Sequence, residues 1–413
     1  MFFYHEGHEG GEVEGKDRVG AVFFVPFVVK DYSMKNWGYS SHSLQSFDCC
    51  RTRAVCAILS AMIRIRVAGR ETEECVMDDL FEKTIQKYLL PVENLTDGPT
   101  DAMYFLHREG GLVYSEGYAH PPGGLFGCLI KYPDPRGHIV IFGKKFGWTH
   151  RRYEGGKLVI VPYKEQVRRQ VELLPELATR PPCPPYADHF SHFLLSEMRG
   201  FFDSKRSLRL LMESTPRIAE VVSSLEELLG VPRERVGCNG SLAYGYFKEP
   251  EEDVDVIFFG TVQENFEVIE RIRQLKRESP DRECVELGRT WPLRFKHVGT
   301  VICPFFKYAR ADEIPLKDFR MEVVKESVSA SGVVVNDRHT GYLPALFTLD
   351  HVTLDGRQRR QPIDLVIYDG SQRGEYFNGD KLRVRSRLVR ITRARDERDA
   401  LLVTLPQEIE TLA

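Results

Sequence analysis

No apolar run in this 413-residue chain reaches the length needed to cross a membrane. The apolar segment 53–68 is broken by Arg64 and Arg66, and the chain does not open on a basic, apolar, small-residue leader layout. A basic excess is missing too. Lys and Arg number 57 against 60 Asp and Glu, a net charge of −3, so any nucleic-acid binding must rest on local patches. The nine cysteines (49, 50, 56, 75, 128, 183, 238, 284, 303) contain no Cys-x-x-Cys pair, which argues against a zinc knuckle or a dithiol redox motif. Reduced thiols in a cytoplasmic protein are the expectation. Hydrophobic residues at 42% are enough to build cores, and the length suggests two or three domains.

The strongest chemical signal lies between Gly237 and Gly260. Gly240 and Ser241 form a Gly-Ser pair, a polar turn follows, and Asp253 and Asp255 stand one residue apart at the start of an apolar run, Val256 to Phe259. Alternate residues of a strand share a face, so the two carboxylates project side by side. They repel unless a cation lies between them, and hard divalent cations such as Mg²⁺ favour oxygen ligands of this kind. A divalent cation on a rigid strand end is suited to holding a nucleoside triphosphate for in-line attack at phosphorus. Arg217 to Leu229 has helical apolar spacing after Thr215-Pro216 and stops at Gly230-Val-Pro; a short strand is expected near Arg235 to Cys238.

This order of helix, strand, Gly-Ser turn and Asp-x-Asp strand resembles the DNA polymerase β-like nucleotidyltransferase superfamily. The resemblance implies that Gly240 lets backbone amides approach a phosphate and that Ser241 hydrogen-bonds it. It implies further that Asp253 and Asp255 bind Mg²⁺ or Mn²⁺ and are catalytic. Active members add a third acid on a later, adjacent strand. A helix is expected over Glu264 to Lys276, followed by strands over Pro292 to His297 and Thr300 to Phe306. The third acid is expected near Ile302, and none stands there. Glu286 lies too early, Asp312 too late, and Asp364 belongs by its position to another domain.

Upstream, residues 1–20 are rich in Gly and Glu with His5 and His8, which read more simply as a disordered start than as metal ligands. Val22 to Lys30 suggests a strand and Asp79 to Leu90 a helix. Clear patterning starts at Met103, so the natural product is expected to begin there, with 1–102 a poorly patterned extension. A small β module covers about 103–165, continuing through a helix over Val167 to Thr179 to residue 180. His120-Pro-Pro-Gly and Tyr132-Pro-Asp-Pro-Arg-Gly resemble segments of a small, mainly archaeal and thermophile family of predicted nucleotidyltransferases. His120 reads as a turn residue, or alternatively as a ligand or base. The run Lys144, Lys145, Trp148, His150, Arg151, Arg152 suits either a nucleic-acid backbone with one stacked base or a solvated hairpin.

Residues 188–213 suggest helix with a basic, aromatic surface. Strand-like runs between Met321 and Ile391, with Arg383, Arg385, Arg387 and Arg390 on the last, suggest a small OB-like barrel. The expected fold class is α+β: a β module (103–180), a mixed-sheet nucleotidyltransferase core (188–315), a barrel (320–395) and a tail (396–413). The expected activity is transfer of a nucleoside monophosphate from an NTP to an acceptor hydroxyl, on RNA or DNA among other acceptors. The alternative is a non-catalytic nucleotide- or nucleic-acid-binding protein on the same fold.

Overall fold

The computed structural model describes residues 80–248, 253–286, 288–394, 396–405 and 408–412. His5, His8 and the strand expected over Val22 to Lys30 lie outside the described residues. The fold is mixed α+β, with three principal sheets of eight, five and seven strands.

The N-terminal sheet runs, in spatial order, through Leu89–Leu90, Met198–Phe202, Met103–His107, Leu112–Ser115, Gly124–Pro133, Lys144–Trp148 and Ile139–Ile141, with Ser191–Leu194 also paired to Gly124–Pro133. Two boundaries expected from sequence do not hold here. Residues 80–102 are part of the packed body: Phe81 and Ile85 are fully buried, and Leu89–Leu90 pairs with Phe201 and Phe202. The stretch 188–213 is not one helix. Its first half forms Ser191–Leu194 and Met198–Phe202, joined by the 3₁₀ turn Leu195–Glu197, and the α-helix is confined to Ser204–Ser214. The physical reason lies in Gly200, where a Cβ would sit 2.3 Å from the Leu90 carbonyl oxygen. Close backbone approach and the β-favouring Phe201-Phe202 pair override the local helical signal.

The central sheet has the order Val236–Cys238, Val254–Gly260, Thr300–Tyr308, Arg289–His297, Glu283–Glu286. Only the Val254–Gly260 and Thr300–Tyr308 pair is parallel. The Ser204–Ser214 helix packs on its Val236–Cys238 edge, and two longer helices flank the motif in sequence. Pro216–Leu229 starts with proline in its first turn, buries Ile218, Val221, Val222, Leu225 and Leu229 along one stripe, and ends on Gly230 in the left-handed region (φ 67°). Val262–Glu278 starts with a capping box between Thr261 and Glu264 and buries Val268, Ile269, Ile272 and Leu275. Both match their expected positions to within two residues.

In the C-terminal sheet, Arg320–His339, Ala345–Leu354, Ile363–Ile367, Asp396–Val403 and Lys381–Arg393 pair in a ring, because Arg320–His339 also pairs with Lys381–Arg393. The expected tail is therefore a structural strand. Ala400, Leu401, Leu402 and Val403 are buried beside Ile363–Ile367, while the charged half, Asp396 to Asp399, hides that role in the sequence. One continuous apolar cluster joins the three sheets, from Phe81 and Tyr104 through Val222 and Phe258 to Val389 and Leu402. Two further clusters lie apart from it, one around Phe347 and Leu401 in the C-terminal ring and one around Phe105 and Phe193 at the N-terminal sheet.

Candidate metal centre

The Gly-Ser turn and the aspartate strand meet through the backbone. Cys238 pairs with Val256, and the Asn239 N–H donates to the Asp255 carbonyl at 3.0 Å. Gly240 follows with φ +62°, a conformation that costs glycine little and a side-chain-bearing residue more. The chain then turns into the short helix Gly240–Ala243, all four residues of which are buried.

Asp253 and Asp255 lie on one face of the next strand, at 5% and 2% exposure. The parallel register sets Val254 against Ile302 and Asp255 against Cys303. The position expected to carry a third acid is therefore one residue further on, and cysteine occupies it. Asp253, Asp255 and Cys303 each offer one ligand atom, all within 4.8 Å of one another, and this group could hold a metal ion. The Cys303 thiol donates to Asp253 Oδ2 at 2.9 Å. Burial pushes this thiol well up, and the two aspartates push it further, against the opposing pull of Arg294. Two carboxylate oxygens suit Mg²⁺ or Mn²⁺; a thiolate would favour softer ions such as Mn²⁺ or Zn²⁺ over Mg²⁺.

A second charge sits beside the carboxylates. Arg294 Nη1 lies 3.8 Å from Asp253 Oδ2 and 2.6 Å from Glu286 Oε2, with the guanidinium 4.5 Å from the Trp291 ring centroid. Burial works against its charge, but Cys303, Asp253, Glu286 and Asp255 together more than offset that and raise its pKa. Glu286 thus enters the site indirectly, through Arg294. The sequence set Glu286 aside as too early and gave no mark of Arg294, since only the pairing of the Arg289–His297 strand with Thr300–Tyr308 brings their hairpin beside Asp253.

The N-terminal sheet contacts the Gly-Ser turn and the short helix after it. The Asn239 side-chain amide donates to the Tyr114 hydroxyl at 3.1 Å, and Lys131 Nζ donates to the Tyr244 hydroxyl at 3.0 Å. Tyr104 packs edge-on against both Tyr114 and Tyr244. Ser241 is 6% exposed.

Other residues singled out by sequence fall elsewhere. His120 accepts from the Phe126 N–H through Nδ1 and lies 3.1 Å from the Gly117 carbonyl through Nε2, so it braces a turn. Burial lowers its pKa to about 4. In the Lys144–Arg152 run, Trp148, His150 and Arg151 are buried and Arg152 is engaged by Glu154 and Glu165, which leaves Lys144 and Lys145 as its more accessible cations. On the arginine strand, Arg383 pairs with Glu410, Arg387 with Asp188 and Arg390 with Asp399, which neutralises most of the stripe. Asp364 lies in the C-terminal ring against Arg398, and Asp312 is an exposed partner of Arg310.

Among the described residues no helix is long and apolar enough to cross a membrane. None of the five described cysteines forms a disulfide. No family profile, curated protein or solved structure matches the chain.

Proposed function

We propose that the chain is a Mg²⁺- or Mn²⁺-dependent nucleotidyltransferase of the DNA polymerase β-like type, acting in the cytoplasm with reduced thiols. The observation that carries this reading is the joining of the Gly240-Ser241 turn to the Asp253/Asp255 strand by the Asn239 to Asp255 backbone hydrogen bond. Both halves of the motif sit at one end of a five-stranded mixed sheet with a helix on either side of the motif in sequence. In this reading Asp253 and Asp255 hold the cation, which when bound neutralises the triphosphate. Gly240 lets the turn's amides approach the β- and γ-phosphates, and Ser241 hydrogen-bonds them. An acceptor hydroxyl oxygen attacks the α-phosphorus, its proton passes to solvent, and pyrophosphate leaves. Positioning and charge neutralisation do most of the work in such transfers. The C-terminal ring, five strands with one parallel pair, is the part this reading assigns to an RNA or DNA acceptor.

One observation favours a second reading, a nucleotide- or nucleic-acid-binding protein without turnover. Both aspartates are almost fully buried, and cysteine rather than an acid stands beside Asp255. Incubation of the purified chain with each α-labelled NTP, Mg²⁺ or Mn²⁺ and host RNA separates the two. Label incorporated by the native chain and lost in Asp253→Ala and Asp255→Ala supports the transferase. Metal-dependent NTP binding without incorporation supports the second reading, and incorporation unchanged in both variants overturns the metal assignment.

A further inference from the structure

A cavity of about 420 Å³ lies against the central sheet and includes Lys205, Lys307 and Lys317 in its lining. Lys307 is on the same strand as Cys303, four residues on, and pairs with Phe259 as Cys303 pairs with Asp255. At about 3.3 Å per residue the two sites are roughly 13 Å apart along the strand.

Three observations bear on this cavity. Lys307 is 7% exposed, yet among the described residues its ammonium has no hydrogen-bond or ion-pair partner. Burial disfavours its charge, and the carboxylates of Asp101 and Asp203 offset this only through space. Second, two ammonium groups converge on one ring: Lys205 Nζ lies 4.5 Å and Lys307 Nζ 5.7 Å from the Phe259 centroid. Both side chains line the cavity, so an anion seated there would meet two positive charges. Third, the 11-residue helix Ser204–Ser214 begins in the cavity wall, and its first amides face outward from the helix start. Asp203, its cap, accepts from the Arg206 N–H at 2.7 Å and is thereby partly occupied; Asp97 is the other acid in the lining.

We propose that this cavity binds a small molecule through a phosphate or polyphosphate group, held by Lys307 and Lys205 with the Ser204–Ser214 helix start, and that Tyr118 and Phe259 wall its apolar part. Burial pushes the Lys307 amine down to about 8, against the upward pull of Asp101 and Asp203. A bound anion raises it again by favouring the charged form. The proposal does not depend on the transferase reading.

The test is calorimetric titration of the full chain with inorganic pyrophosphate, with citrate as a carboxylate control. Wild type and the Asp253→Ala/Asp255→Ala double variant should bind pyrophosphate equally. Lys307→Met should weaken binding at least tenfold. Lys205→Ala, an exposed change that leaves the core intact, should weaken it several-fold. No pyrophosphate binding by the wild type overturns the proposal. Binding unaffected by both lysine changes overturns it as well, as does binding lost only in the aspartate variant, which assigns the anion to the other centre. Citrate bound as tightly as pyrophosphate overturns the phosphate class.

Discussion

Cys303 stands beside Asp255 across a parallel strand pair and gives its thiol hydrogen to Asp253. One sulfur thus takes the place, between strands, where the resemblance leads one to expect a third carboxylate. The donor set is softer by that exchange and less charged, because the thiol keeps its proton in the absence of metal.

Cation preference should follow. In thermal melts, Mn²⁺ or Cd²⁺ should stabilise the wild type more than Mg²⁺ at equal concentration. A cation at a hundredfold its dissociation constant contributes about 2.7 kcal/mol. Cys303→Ser should bring the Mg²⁺ and Mn²⁺ shifts together. Equal shifts in the wild type would remove the sulfur from the ligand set.

Arg294 is the charge that lets the carboxylates stay buried without metal. Arg294→Met should cost about 3–5 kcal/mol by urea unfolding, the range for breaking a buried ion pair on one side. Part of the loss should return on adding Mn²⁺, which supplies the missing positive charge. A cost below about 1 kcal/mol would mean that water already screens Asp253 and Glu286.

Acid should weaken the fold through buried imidazoles. Burial holds both His120 and His339 at about 4, whereas an unfolded histidine titrates near 6.5. Between these values the unfolded chain binds more protons, so stability is complete above pH 6.5 and falls as pH drops towards 4. His120→Gln should give a shallower decline over that window. Parallel curves for variant and wild type would show that His120 does not contribute.

Phe81→Ala tests whether residues before Met103 belong to the folded body. Phe81 is fully buried and packs 5.4 Å from Phe146, centroid to centroid. Its truncation should cost about 3–5 kcal/mol, as for other buried aromatics. A change within about 0.5 kcal/mol would detach this segment from the core.

The parts legible in the sequence were those whose cause is local. Thr215-Pro216 and Gly230 bracket the Pro216–Leu229 helix by capping chemistry, and the alternation around Asp253 and Asp255 places both on one strand face. The rest depends on which distant segment comes alongside. The third-ligand position misses by one residue, since only the pairing of Val254 with Ile302 sets Asp255 against Cys303. Met198–Phe202 reads as helix until Leu89–Leu90 lies against it, and His150 and Arg151 read as surface until the body packs around them. Lys307 gives no signal at all: a lysine within an apolar strand has no local mark of a cavity beside it.

The burial of Asp253 and Asp255 also bears on time. At 5% and 2% exposure the carboxylates give a cation little direct contact with water, so its exchange is tied to local opening of the surrounding side chains. A chelator in excess should then strip the centre at a rate that stops rising with chelator concentration.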